Sequence, residues 1–306
     1  MTLSHTFSVG TLRCHLLEAG RLWLDGGAMF GVVPRTMWSR QITPDEKHRV
    51  PLVMRCLLIE HPEGLVLVDT GAGNKEEPKF LEIYGLENAG LEGATQLEDA
   101  LATAGFLPGD VRWVINTHLH FDHAGGNTLR AGPDASIQSP NRPTAQSPTR
   151  LAFPHATYVV QRNELEFARH TNERTRASYL PHNYEPIAAA NRWRLIEGDG
   201  EILPGISSRL TPGHIPWHQS IVVSSGGATA VFLGDVMPTH HHLPLVWIMG
   251  YDLEPLRTLE SKRALLRDAV AGGWRVIFEH DANVAMGRLV AEEKGVGLVE
   301  VVRAGE

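Results

Sequence analysis

A layered α/β architecture is what this sequence predicts, and three observations lead to it. Short apolar runs read as strands, stretches of helical spacing alternate with them, and several strand-like runs end in Asp or His. The clearest example is Gln96 to Ala104, whose Leu97, Ala100 and Leu101 recur at helical spacing before Gly105. It is followed by the β-branched and aromatic run Val111 to Asn116, a strand. With 306 residues, 42% of them hydrophobic and 21% charged, the chain can bury a substantial core, and one domain over residues 1–306 is expected.

The elements follow in order. Thr11 to Leu17 and Arg21 to Leu24 read as a hairpin, with Asp25-Gly26-Gly27 as a turn. Ala28 to Pro34 and Met37-Trp38 are apolar but too rich in Gly and Pro for a regular element; core is the first expectation and a cavity wall the second. Arg55 to Glu60 and Leu65 to Val68 form strands about the turn His61-Pro62-Glu63-Gly64, and the second ends in Asp69. Residues 73–93 read as an irregular covering segment.

Residues 131–156 carry five prolines among Ser, Thr and Ala and read as a surface insertion. Thr157 to Gln161 is a strand, Asn163 to Thr171 a helix begun by an asparagine cap, and Ala177 to Ala190 a candidate lid. In the second half, Ser207 to Leu210 leads into Thr211-Pro212-Gly213-His214. Ser220 to Val223 and Thr229 to Leu233 form a hairpin about Ser225-Gly226-Gly227, ending in Gly234-Asp235. Pro255 to Ala271 is a helix with Leu256, Leu259, Leu265, Leu266 and Val270 as its apolar residues. Trp274 to Phe278 is a strand ending in Glu279-His280-Asp281.

The chemistry concentrates in Thr117-His118-Leu119-His120-Phe121-Asp122-His123-Ala124-Gly125-Gly126, which leaves the end of a strand. Imidazole nitrogen and carboxylate oxygen together suit zinc and neighbouring divalent metals, whereas carboxylates alone would suit magnesium or calcium. In a turn past a strand, His118 and His120 can converge on one point while Asp122 and His123 swing to a second. A single histidine is more often structural, and the chain carries 16, but this spacing reads as a metal site. His214 and His280 are further ligand candidates. Asp235 can bridge two cations with its two oxygens, and Asp69 suits a supporting role behind the ligand loops. His240-His241-His242 reads first as a solvated run, with a proton donor or a further metal surface as alternatives.

The net charge of −7 and the lack of a basic run argue against nucleic acid as a partner. No run approaches membrane-spanning length and Met1 to Gly10 lacks the apolar core of a secretory signal, so a cytoplasmic protein acting on a small molecule, without a membrane, is expected. Cys14 and Cys56 lie in separate strand-like segments and read as buried free thiols.

Asp69, the HxHxDH motif at His118 to His123, His214, Asp235 and His280, in that order, resemble the metallo-β-lactamase fold superfamily over almost the whole chain. The segments HLHFDHAGG, Gly234-Asp235 and Gly26 to Gly31 look most like YtnP-like N-acyl-homoserine lactonases and methyl-parathion-hydrolase-like enzymes. The resemblance implies an αββα sandwich and two divalent ions, zinc first, with iron, manganese or cobalt as alternatives. His118, His120 and His214 would hold one ion, Asp122, His123 and His280 the other, with Asp235 bridging. Asp235 replaces the cysteine of one group of true β-lactamases, and the run after it, Val236 to His242, lacks the assisting tyrosine of some lactonases.

The implied function is a dinuclear hydrolase opening lactones such as N-acyl-homoserine lactones by a bridging hydroxide, with Asp122 and Asp235 as the catalytic carboxylates and Asp122 returning the proton to the leaving alkoxide. Met29, Phe30, Trp38, Trp217 and Trp247 are candidates for an acyl pocket. Phosphotriester or phosphodiester hydrolysis is the alternative chemistry on the same site, and a noncatalytic metal-bound sensor is a third reading. The assembly state, a homodimer among the options, is not written in the sequence.

Overall fold

The computed structural model describes residues 4–131, 149–293 and 295–305. Its strands, in chain order, begin with β1 (Ser4–Val9), β2 (Leu12–Asp25), β3 (Arg49–Glu60), β4 (Leu65–Val68) and β5 (Val111–Ile115). They continue with β6 (Thr128–Arg130), β7 (Thr149–Leu151), β8 (Thr157–Gln161) and β9 (Trp193–Ile196). Seven of these form one mixed sheet in the order β1-β2-β3-β4-β5-β8-β9, and β6 and β7 make a separate ribbon. A second mixed sheet runs in sequence order through β10 (Gly200–Leu203), β11 (Ile206–Leu210), β12 (Gln219–Ser225), β13 (Ala228–Phe232), β14 (Arg275–Ile277), β15 (Val284–Glu292) and β16 (Gly295–Arg303).

Two compact units divide the chain. The first comprises Met1–Phe7, Arg13–Leu22 and Met54–Glu197; the second comprises Ser8–Leu12, Trp23–Val53 and Gly198–Glu306. In the first, β5 runs parallel to β4 and to β8, with Ile115 opposite Val68 on one side and Val159 on the other. A strand flanked on both sides by parallel neighbours needs both faces covered, so Val114, Ile115, Leu67, Val68 and Val159 are fully buried. The register brings the C-terminal ends of three strands to one edge. In the second unit β12 is antiparallel to both β11 and β13, and β14 is parallel to β13. Thus β11, β13 and β14 also run the same way and end at one edge, above a core that includes Val231, Leu233, Leu265, Val276 and Phe278.

Eight α-helical segments accompany the strands among the described residues: α1 (Gly26–Phe30), α2 (Arg35–Trp38), α3 (Pro78–Tyr84), α4 (Gln96–Thr103), α5 (Phe121–Ala124), α6 (Arg162–Arg169), α7 (Glu185–Ala189) and α8 (Pro255–Gly272). The Thr95 hydroxyl caps α4 by accepting from Glu98 N. α8 ends at Gly273 in the left-handed region. None of the described helices is long and apolar enough to cross a membrane.

Several local expectations are corrected. The hairpin expected over Thr11 to Leu24 is one continuous strand, β2. Gly20 has φ +132, but a Cβ there would come within 2.6 Å of the Asn88 Cβ, so the glycine serves close approach and not reversal. Asp25-Gly26-Gly27 is no turn: the Asp25 carboxylate accepts from Ala28 N at 2.7 Å and starts α1. Residues 73–93 contain α3. α6 begins at Arg162 after Gln161, without the asparagine cap. On α8 Leu256 is 79% exposed, and Thr258 and Lys262 take buried places instead. The Lys262 ammonium is accommodated by donating to the Pro244 and Trp247 carbonyls at 2.9 and 2.6 Å.

Most of the proline-rich insertion, 132–148, lies outside the described residues. Cys14 and Cys56 are buried and in no disulfide among the described residues, as expected.

Candidate metal centre

The first group of candidate ligands leaves the end of β5. Because β4 lies parallel beside β5, Asp69 emerges next to Thr117, and its backbone N bonds the Ile115 carbonyl at 3.0 Å. The Asp69 carboxylate, fully buried, accepts from Thr117 N at 2.8 Å, from the Thr117 hydroxyl at 2.6 Å and from His123 Nδ1 at 3.1 Å. With its proton given to Asp69, Thr117 Oγ1 accepts from His118 Nδ1 at 3.1 Å. Asp69 therefore contacts His123 directly and reaches His118 through Thr117, the contacts that a supporting role calls for. Each bond at Nδ1 leaves Nε2 as the nitrogen that could face a metal.

His118 and His120 offer nitrogens within 4.8 Å of each other, and so do the ligand atoms of Asp122 and His123. His118, Asp122 and His123 are buried, and His120 is half-buried with its ring edge-on to Tyr179, 4.7 Å between centroids. α3, which sequence reasoning passed over, packs Phe80 and Tyr84 on Phe121 between the ligand positions, at 4.9 and 4.7 Å. Burial and the nearby Asp122 carboxylate push the Tyr84 phenol up.

The second group forms at the edge where β11, β13 and β14 end. His214 Nδ1 donates to Asp252 at 3.0 Å, and the segment after Asp252 is stitched to the ligand turn by Leu253 N to His214 O and Glu254 N to Gly213 O. His280 Nδ1 donates to the Val53 carbonyl at 2.8 Å. His218 accepts from Asp235 N through Nε2 at 3.0 Å and bonds Thr211 Oγ1 through Nδ1 at 2.8 Å, which sets its tautomer and ties the two turns together.

Asp235 then presents its two oxygens to different rings: Oδ2 lies 3.2 Å from His214 Nε2 and Oδ1 3.1 Å from His280 Nε2. With both Nδ1 atoms carrying the hydrogen, each contact sets a ring lone pair against a carboxylate. Positive charge, as a proton or a metal cation, is what makes such a pair attractive. The donor types and their backing fit divalent cations of the zinc group.

Asp252, His218 and the Val53 carbonyl were not found from the sequence, because each is remote in the chain from the residue it supports. The run His240 to His242 is less solvated than expected, with His242 buried and His240 and His241 half-buried. His242 is 1% exposed, bonds Thr239 Oγ1 through Nδ1 and the Met29 carbonyl through Nε2 at 2.9 Å, and stacks on Phe30. Burial pushes it down to about 3. His241 is pushed down to about 4, also by burial. His240 Nδ1 bonds Asp281 closely. Met29, Phe30 and Trp38 are likewise core, at 1, 1 and 2% exposure, and of the pocket candidates Trp217 and Trp247 are half-buried.

The chain is similar to known proteins of one superfamily. The profile of the Metallo-beta-lactamase superfamily matches residues 51–291. An N-acyl homoserine lactonase of Bacillus cereus is 30% identical over 291 residues, 92% of this chain and 95% of that protein. N-acyl homoserine lactonase AiiA of Bacillus thuringiensis subsp. kurstaki is 31% identical over 229 residues, 72% of this chain and 74% of its own. A solved structure described as a probable metal-dependent hydrolase from Staphylococcus aureus superposes with a TM-score of 0.85 at 28% identity, covering 98% of this chain and 99% of that one. AidC, a dizinc quorum-quenching lactonase, shares the fold with a TM-score of 0.73 at 19% identity, covering 98% of each chain. With its two mixed sheets, accompanying helices and Asp/His donors at the strand ends, the chain belongs to the metallo-β-lactamase superfamily.

Proposed function

We propose that the chain is a lactone hydrolase using two divalent cations, zinc foremost, and that N-acyl-homoserine lactones are among its substrates. The single observation that carries the two-cation reading is Asp235, whose oxygens each face the Nε2 of a different buried histidine. The lactone reading is supported by the N-acyl homoserine lactonases to which the chain is 30 to 31% identical.

In this reading His118, His120 and His214 would hold one cation and Asp122, His123 and His280 the other, with Asp235 available to both. When bound, the pair supplies Lewis-acid polarisation of the lactone carbonyl and a water made acidic enough to attack near neutral pH. The protein's own contribution is orientation. Asp69, Thr117, Asp252 and the Val53 carbonyl fix the rings through Nδ1, so that little reorganisation accompanies the reaction. Asp122 carries a proton on a carboxylate oxygen to the alkoxide that leaves when the ring opens.

The test is turnover of metal-loaded protein against acyl-homoserine lactones and aryl phosphotriesters, with and without a chelator, beside His120→Ala and Asp235→Asn. Lactone opening that disappears in both variants and with chelator is the expected result. Efficient phosphotriester cleavage without lactone opening would replace the substrate class. Metal binding with no turnover on either panel would make the chain a sensor.

A further inference from the structure

The end of β8 lies at the same edge as the ends of β4 and β5, and it carries Glu164 in the first turn of α6. Glu164 is fully buried, an unusual place for a carboxyl without a specific duty. Its Oε1 accepts two hydrogen bonds, from Leu119 N at 2.9 Å and from the Tyr179 hydroxyl at 2.9 Å. Leu119 stands between His118 and His120, past the end of β5. Its N–H has left the strand ladder, and a buried amide of this kind requires an acceptor. The Tyr179 ring, held by its hydroxyl, packs edge-on against His120, with Phe167 of α6 on another side at 5.8 Å.

We propose that Glu164 is a positioning residue for the His118/His120 ligand pair: one carboxyl oxygen holds the backbone between the two ligands and, through Tyr179, the ring that flanks the second. This inference rests on the assignment of His118 and His120 as ligands. Glu164 touches neither, and acts through Leu119 N and Tyr179. Burial pushes its carboxyl up to about 8, with the bonds from Leu119 N and Tyr179 opposing the rise. A neutral amide oxygen at the same place can accept the same two bonds, so charge is not what the position requires.

The test compares Glu164→Ala and Glu164→Gln, with His118→Ala as control. The readouts are cobalt(II) titration followed by the visible d–d spectrum and metal content after dialysis against a weak chelator. Glu164→Ala is expected to weaken one cobalt site by roughly 10- to 100-fold, the loss typical when support behind a ligand is removed, and to change its spectrum. Glu164→Gln should stay within about threefold of wild type with the same spectrum. Wild-type affinity and spectrum in Glu164→Ala, with a site lost in His118→Ala, would overturn this inference alone. No loss in His118→Ala would overturn the ligand assignment itself. Should Glu164→Ala fail to fold, Glu164→Asp, one methylene short of both donors, decides by the same measurements, and a wild-type spectrum there would overturn the proposal.

Discussion

Removing the carboxylate behind His214 should weaken metal binding by a calculable amount. Asp252 is 5% exposed and its Oδ1 lies 3.0 Å from His214 Nδ1, a buried hydrogen bond to a charged acceptor. Bonds of this type contribute about 1.5 to 3 kcal/mol. At about 1.4 kcal/mol per decade, Asp252→Ala should raise the dissociation constant of one cation by roughly 10- to 150-fold. Asp252→Asn keeps an acceptor oxygen and loses only the charge, so about 3- to 10-fold is expected. Competition against a chromophoric chelator, with zinc or cobalt, measures both constants, and circular dichroism at the assay temperature checks that each variant is folded. A folded Asp252→Ala that binds both ions as wild type does would refute the claim that Asp252 orients a ligand. It would equally remove His214 from the ligand set if His214→Ala were silent as well.

Three further outcomes follow from the same geometry. Burial pushes the Lys262 ammonium from 10.5 down to about 7, with Asp252 opposing. The unfolded chain therefore holds a proton here that the folded chain releases between those values, so the group costs stability in full below pH 7 and less as pH rises toward 10.5. Urea titrations should show wild type gaining on Lys262→Met between pH 7 and 10, and a constant difference would contradict this. Gly213 has φ +140 and a Cβ there would lie 2.2 Å from Thr258 N, so Gly213→Ala should lose about 2 kcal/mol or more of stability together with metal affinity, read from thermal melts with and without zinc. The His242 ring, pushed down by burial to about 3, should show no change in its nitrogen shifts between pH 5 and 8, whereas a solvated ring would titrate in that range.

Donor chemistry is local, and so most of the candidate centre could be read without a structure. His118, His120, Asp122, His123, His214, Asp235 and His280 each follow an apolar run that proves to be a strand, and a strand's end is where a side chain can leave the sheet. Element types survived for the same reason: Val111 to Ile115 and the Gly226-Gly227 hairpin are specified by their own residues. The errors came where a local signal served a distant partner. The stretch between Leu17 and Arg21 looked like a turn because nothing nearby announces that Gly20 meets Asn88, and the apolar residues of α8 do not by themselves say that Leu256 is exposed. His242 looked solvated because the Met29 carbonyl that accepts its proton is far away in sequence.

What the sequence determined by itself is the inventory of candidate metal donors, the strands that end in them and the superfamily they indicate, since these depend on residue type and short-range pattern. What only the tertiary structure decided is which groups stand behind the donors: Asp252 for His214, the Val53 carbonyl for His280, Glu164 for the backbone of Leu119. The physical reason is that a hydrogen bond across tens of residues depends on strand direction and register. Parallel pairing of β4, β5 and β8 in one sheet, and of β13 with β14 in the other, brings separate strand ends to one edge of each sheet, and no single segment encodes that pairing.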